Sequence, residues 1–158
     1  MMAMRPDGAT WLRRAGPADA LVVADLLIRA RAAAAGYIPA AVHSDDEVRA
    51  WVAAVVLPEF EVWLSIAAGG AVVAVMVLDG SWIDQLYVEP EWTGRGIGGH
   101  LIEHGKSRRP GGLKLWTFVT NVRSQRFYQR HGFTVVETTD GSGNEEKEPD
   151  LRLVWPAP

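Results

Sequence analysis

The sequence predicts a single α/β (α+β) domain in which a mixed β-sheet carries helices on both faces. Three observations lead to this fold class. The chain has 158 residues, which is a common size for one domain. Its residues are 48% hydrophobic and 22% charged, as in a globular protein. The elements run strand, two helices, about three strands, helix, strand, helix and two strands, so we expect residues 1–158 to form one such domain.

A strand near residues 10–14 precedes two helices. A Gly-Pro pair followed by an acid is typical of a helix start, and apolar residues then recur every three or four positions, which predicts a helix over 17–35. Ser44 and Glu47 form a capping box. The helix that they begin is predicted to end just before Pro58, because proline has no backbone N–H to donate.

The middle of the chain predicts an antiparallel meander. Two apolar runs, 61–66 and 71–78, are joined by a Gly-Gly turn and are typical of a β-hairpin. A third strand is expected over 81–89, after an Asp-Gly turn. The second half then alternates: the sequence predicts helices at 97–109 and from a capping Asn121 to Gly132, and strands at 113–119, 133–138 and 151–155.

Composition excludes several function classes. A net charge of -3 gives no basic field, so we expect no nucleic-acid partner. The absence of cysteine excludes disulfides, thiol nucleophiles and thiolate metal sites, and we predict no metal site. No apolar stretch approaches the roughly 20 residues that span a bilayer, and no signal-like apolar segment is present, so we expect a cytoplasmic protein without membrane contact.

A glycine-rich turn lies between the third predicted strand of the meander and the next helix. Gly94, Gly96 and Gly99 satisfy G-x-G-x-x-G, the dinucleotide fingerprint. The context disfavours a nicotinamide site, because the turn does not follow a first strand directly and the next strand carries no acid. The glycines leave the amides of a helix N-terminus free, which suits a pyrophosphate. A turn needed only for chain reversal is the alternative.

Two motifs identify a family. The segment LYVEPEWTGRGIGGHL at residues 86–101 resembles the signature of the GNAT acetyltransferase superfamily, and NVRSQRFYQRHGF at 121–133 is similar to the family's later motif. Together with the element order, the resemblance covers nearly the whole chain. It implies the GNAT fold, a mostly antiparallel sheet of six to seven strands splayed in the middle, with four helices. Thr93 is a departure, because the family usually has Gln or Arg there.

The resemblance also implies a chemistry and a cofactor. We expect acetyl-CoA (coenzyme A) as donor and direct attack by the primary amine of a small molecule. The Val88 amide would bind the thioester carbonyl, and Tyr128 would protonate the leaving thiolate. Tyr128 could instead only pack, and Asn121 could serve only as a cap. The cofactor contacts implied are Leu86, Tyr87, Val88, Thr93, Gly94, Arg95, Gly96, Ile97, Gly98, Gly99, Asn121, Ser124, Phe127 and Tyr128.

The acceptor side is less defined by sequence. Asp84 is the first candidate for a general base, because two apolar neighbours would raise its pKa, although it could be a solvated acid. His43, Glu145 and Glu146 are candidates for acceptor contacts, the last two in an acidic loop at 140–150 that could equally be a solvated loop. Alternatives to a small-molecule acceptor are a protein or peptide amine, or a non-catalytic acyl-CoA-binding module. Dimers are common in the family, so a homodimer is a further expectation.

Overall fold

The computed structural model describes residues 3–4 and 9–158 and shows one mixed sheet with helices on both faces. The strand order is β1-β2-β3-β4-β5-β6-β8-β7. This confirms the predicted fold, with one addition: a two-residue strand at the edge brings the strand number to eight. The strands are β1 Ala3–Met4, β2 Thr10–Arg14, β3 Glu61–Ala67, β4 Val72–Asp79, β5 Trp82–Val88, β6 Leu113–Phe118, β7 Thr134–Thr138 and β8 Asp150–Trp155.

Within the described residues, four helices accompany the sheet. They are α1 Ala20–Ala33, α2 beginning with Asp45–Trp51, α3 Ile97–Arg108 and α4 Val122–Arg130. The predicted end of α2 before Pro58 is wrong. The helix passes through a π turn, Val52–Val56, and continues over Leu57–Glu59. In the widened turn the Leu57 amide reaches the Val52 carbonyl, so the helix continues into Pro58 although this residue has no N–H to donate.

Two hydrophobic clusters lie on opposite faces of the sheet. Alternate residues of β4 point to opposite faces, so Val75 belongs to the cluster with α1 and α2, while Met76 belongs to the cluster with α3 and α4. Both side chains are fully buried. Strand β4 is therefore the centre of the core, and the strand beside it, β5, lies between the two helix layers.

The sheet opens between β5 and β6. Strand β5 is antiparallel to β4, and a bulge at Asp84 interrupts that pairing. Between β5 and β6, the described residues contain a single parallel pairing, Trp82 with Lys114, whereas β6 pairs with β8 along its whole length. Beyond Trp82 the two strands diverge in a V, which is the splayed centre that the resemblance implied.

An ion-pair cluster links the start of β3 to the end of α3. The Glu61 carboxylate accepts hydrogen bonds from Arg108 at 2.7 Å and from Arg109 at 3.2 Å. Arg14 lies 3.5 Å away. None of the helices in the described part of the chain combines the length and apolar character needed to cross a membrane.

Candidate active site

A cleft of about 1020 Å³ lies where β5 has diverged from β6. Its walls come from the end of α1, the end of β5, the glycine turn, the start of α3 and one side of α4. All of the cofactor contacts predicted from sequence line this cleft except Arg95. The fold thus brings together residues that are up to 42 positions apart, from Leu86 to Tyr128.

The glycine turn shapes one end of the cleft. Gly94 and Gly96 have φ of 76° and 79°, in the left-handed region that favours glycine. Gly96 is the N-cap of α3 and has no side chain to accept a hydrogen bond. The first hydrogen bond of the helix runs from the His100 amide to the Gly96 carbonyl oxygen at 3.1 Å. The amides of Ile97, Gly98 and Gly99 therefore precede the hydrogen-bonded turns and form an anion-binding end.

Two glycines of α3 allow it to approach α4 closely. A Cβ on Gly98 would lie 3.1 Å from Cζ of Phe127, and one on Gly99 would lie 2.9 Å from Cε1 of His131. Both aromatic rings line the cleft. The absence of side chains at these two positions therefore sets the width of the cleft between the helices.

Two residues of the turn are engaged within the turn itself. The Thr93 hydroxyl donates to the Pro90 carbonyl oxygen at 2.9 Å, so its one proton is already used. The Arg95 guanidinium lies 4.6 Å from the centre of the Trp92 ring and donates to the Glu91 carbonyl oxygen at 3.1 Å. Arg95 is exposed and lies outside the cleft lining.

The end of β5 directs backbone groups into the opening. The amide of Glu89 donates to the Val73 carbonyl at 2.8 Å, toward β4. Successive residues of a strand direct their N–H and C=O groups to opposite sides. The Val88 amide therefore faces the side on which β6 has diverged.

Tyr128 forms the wall opposite β5. It is only 7% exposed, and its ring lies edge-on to Phe127 and to Phe133, with ring centres 5.1 and 5.4 Å away. Burial raises the pKa of its phenol well above the usual range, and the nearby Tyr87 acts in the same direction. At neutral pH Tyr128 is thus a protonated group with a proton to donate.

Asn121 caps α4, as one of the two interpretations of the sequence predicted. Its side chain accepts a hydrogen bond from the Ser124 amide at 3.2 Å, while the Ser124 hydroxyl accepts one from Thr117 at 3.1 Å. Asn121 and Ser124 also line the cleft. The capping role and a ligand-facing position therefore coexist.

Asp84 is the extra residue of the β5 bulge and is exposed as a whole. Desolvation by the surrounding atoms nevertheless raises the pKa of its carboxyl, and the nearby Asp79 adds to the rise. Asp84 does not line the large cleft. Its negative charge nevertheless raises the pKa of Tyr87, whose side chain lines that cleft. Burial raises the pKa of Tyr87, and Arg31 acts against that rise.

The acceptor candidates meet on the other side of α1. His43 lines a second cavity of about 480 Å³ between α1 and the start of α2. Its Nδ1 lies 3.0 Å from Glu47, and its Nε2 lies 3.0 Å from Glu145 of the acidic loop. Glu146 lies 4.0 Å from Arg31, which lines the same cavity. The acidic loop therefore reaches across to α1 and α2 rather than extending into solvent.

Sequence reasoning did not assign a role to two residues here, Arg31 and Trp116. Arg31 interrupts the apolar stripe of α1, and only the fold places it beside Tyr87. Trp116 left a clearer signal, because it alternates with the buried residues Leu115 and Thr117 and therefore had to face the other side of the sheet. It is 41% exposed and stacks on Trp82, with ring centres 6.4 Å apart.

Comparisons with known proteins identify the family and agree with the fold. A family model described as an acetyltransferase (GNAT) domain matches residues 46–135. The peptidyl-lysine N-acetyltransferase YjaB of Salmonella typhimurium is 31% identical over 105 residues, which are 63% of this chain and 68% of that protein. The solution structure of apo YjaB from Escherichia coli superposes with a TM-score of 0.75 at 24% identity, covering 92% of this chain and 97% of that one. PaiA N-acetyltransferase from Thermoplasma acidophilum, solved with coenzyme A, gives a TM-score of 0.68 at 18% identity, covering 92% and 98%.

Proposed function

The chain belongs to the GNAT acetyltransferase family, and from this premise we propose that it transfers the acetyl group of acetyl-CoA to a lysine side chain of a protein or peptide. One observation carries the proposal: a single cleft joins a free helix N-terminus, the splayed end of β5 and the buried phenol of Tyr128. The sequence alone favoured a small-molecule amine. The curated relative YjaB is a peptidyl-lysine N-acetyltransferase, which fits the protein or peptide alternative better.

The residues present fit coenzyme A as the donor. The amides at the start of α3 would hold the pyrophosphate, because they carry partial positive charge and no side chain blocks them. Gly98 and Gly99 leave room where a Cβ would meet the rings of α4. The structural neighbour PaiA was solved with coenzyme A. Thr93 and Arg95 are the weakest members of the predicted contact set, since both already bond within the turn.

Acetyl-CoA supplies the acetyl thioester, and the chain supplies charge stabilisation and proton transfer. We assign the Val88 amide to the carbonyl oxygen, where negative charge develops as the amine attacks. Tyr128 is the group that gives its proton to the sulfur as the C–S bond breaks. Asp84 is the proposed acceptor of the amine proton, since its raised pKa makes it a stronger base than an ordinary carboxylate.

The experiment compares acceptors and one variant. Purified protein is incubated with acetyl-CoA and either lysine peptides, polyamines or free amino acids, and released thiol and acetylated product are measured. We expect acetylated peptide lysine, and a fall of about 10² in kcat for Tyr128→Phe, the scale of acid catalysis. Tyr37→Phe is the matched control, because it removes a phenol that lies outside the cleft lining.

Other outcomes would redirect the assignment. Thiol release with small amines and none with peptides would restore the small-molecule acceptor. Binding of acetyl-CoA by calorimetry without turnover on any acceptor would indicate an acyl-CoA-binding module. Equal rates for the Tyr128→Phe variant and the wild-type protein would remove Tyr128 from the mechanism.

A further inference from the structure

An aromatic surface lies beside the opening of the sheet. We call it the tryptophan face and define it by Trp82, Lys114, Trp116 and Arg152. Trp82 and Lys114 are the pair at which β5 and β6 are still joined, and Trp116 lies two residues further along β6 on the same side of the sheet. Arg152 is the cross-strand partner of Trp116 on β8. The surface therefore begins where the V opens.

The two indoles of the tryptophan face are stacked and lie partly open to solvent, with Trp116 exposed and Trp82 half-buried. The core cluster on this side of the sheet draws its buried residues from α1, α2, β3 and β4, which leaves the half of the sheet with β6 and β8 outside it. Trp116 is 41% exposed, and its indole stacks on Trp82 with an angle of 11° between the rings. An exposed tryptophan held in one orientation, as Trp116 is by Trp82, is typical of binding surfaces, because it buries a large area at little entropic cost.

The charges around the two indoles indicate what they would bind. The Lys114 ammonium of the chain itself lies 4.5 Å from the centre of the Trp82 ring, so the Trp82 ring already has a cation beside it, whereas the exposed Trp116 ring has no such contact among the described residues. Asp79 is the cross-strand partner of Trp82, and the exposed Asp84 follows it on β5. Arg152 is offset by Glu137, 3.2 Å away on β7. The site thus offers aromatic rings and the carboxylate of Asp79 to a cationic segment, and the base candidate Asp84 lies next to it on the way to the opening.

Resting on the proposed function, we propose that the polypeptide flanking the acceptor lysine docks on the tryptophan face. The partner is an extended, lysine-containing segment of the substrate protein, with further basic residues beside the acceptor. Its apolar and basic side chains lie across Trp116 and Trp82, with Asp79 opposite their charges. The acceptor lysine itself then enters the opening beyond Trp82, where Tyr87 and Val88 line the cleft.

The test separates the flanking residues from the reacting amine. KM is measured for a basic peptide with one lysine and for Nα-acetyl-lysine methylamide. The methylamide presents the same free lysine side chain without flanking residues. We expect Trp116→Ala to raise KM for the peptide about tenfold at unchanged kcat, with less than a twofold change for the methylamide. Trp116→Phe should recover most of the loss. Val135→Ala, another exposed apolar residue of this half of the sheet, is the control.

Three results would overturn the proposal. They are an unchanged peptide KM, an equal rise for peptide and methylamide, and a change of oligomeric state in light scattering, which would make a second copy of the chain the occupant. Thermal unfolding and acetyl-CoA affinity must stay at wild-type values, and Trp116→Gln, which also removes the aromatic ring, serves as the test variant if the alanine variant is unstable. If no peptide is acetylated at all, the proposed function fails. Docking is then judged by indole N–H shifts on peptide addition, which must include Trp116.

Discussion

Replacing Glu61 by glutamine should destabilise the protein in a pH-dependent way. Glu61 begins β3, and its carboxylate is only 12% exposed beneath the guanidinium groups of Arg108 and Arg109. Hydrogen bonds from Arg108 are the largest influence and lower the pKa of Glu61 from its ordinary 4.5 to about 2. The ionised carboxylate is therefore stabilised in the folded protein, and Glu61→Gln removes that stabilisation without changing the size of the side chain.

The size of the effect follows from the pKa. One pKa unit corresponds to about 1.4 kcal/mol, so the change from 4.5 to about 2 sets an upper bound of about 3 kcal/mol at neutral pH. The Arg108 side chain is 43% exposed, and solvent screening reduces the net value. We expect a loss of about 1 to 2 kcal/mol in the free energy of unfolding at pH 7.

Urea unfolding at a series of pH values measures this loss. A folded-state pKa below the unfolded value means that the stabilisation is complete above about pH 4.5 and disappears as pH falls toward 2. The difference in the free energy of unfolding between wild-type protein and Glu61→Gln should therefore be constant from pH 7 to 5 and then decrease toward zero as the pH falls further. Glu137→Gln, which alters the more exposed pair with Arg152, should change stability by less than about 0.5 kcal/mol. A gap that stays constant down to pH 2.5, or no gap at pH 7, would refute the reasoning.

Two further predictions concern the cleft and the acidic loop. Gly98→Ala should weaken acetyl-CoA binding at least tenfold by calorimetry, because its Cβ would displace the Phe127 ring by a few tenths of an ångström, whereas Gly111→Ala, in open space, should bind normally. His43 lies between two glutamates, which raise its pKa, so its contact with Glu145 is strongest below the ordinary histidine pKa of about 6.5 and weakens as pH rises through the raised value. The protection of the acidic-loop amides from hydrogen exchange should fall as pH rises through the raised pKa of His43. The His43→Gln variant should show no fall in protection over the same pH range, and an equal fall in the variant would exclude His43 as its cause.

The local parts of the fold and site could be predicted because their signals are local. A capping box, a glycine turn and a capping Asn121 each act within four residues, so the boundaries of α3 and α4 follow from sequence. The end of α2 was missed because the π turn before Pro58 buries Val52 and Val56 in the core beside α1, a tertiary contact that the local sequence does not show. Basic residues suit the C-terminal end of a helix such as α3 in any fold, whereas this fold gives Arg108 and Arg109 a specific partner in Glu61.

The acceptor side could not be worked out in the same way. Whether Glu145 and Glu146 extend into solvent or dock depends on cations more than 100 positions earlier in the chain. The loop is also held in shape by its own contacts, including Asn144, which donates to the Glu148 carbonyl at 2.8 Å and to Asp150 at 3.1 Å. Such pairings form only in the tertiary fold, so the hydrophobic periodicity of the sequence does not predict them.

The V between β5 and β6 has a consequence for the protein before any ligand arrives. It gives the sheet two edges in its interior. Among the described residues, one edge of β5 and one edge of β6 present main-chain N–H and C=O groups there without a neighbouring strand. Edges of this kind exchange their amide hydrogens readily and are templates for pairing with other extended chains. The seam at Trp82 and Lys114 keeps the two halves of the sheet in register while leaving those edges available. A bound molecule that hydrogen-bonds to both would act as the missing strand and join the halves into one continuous sheet.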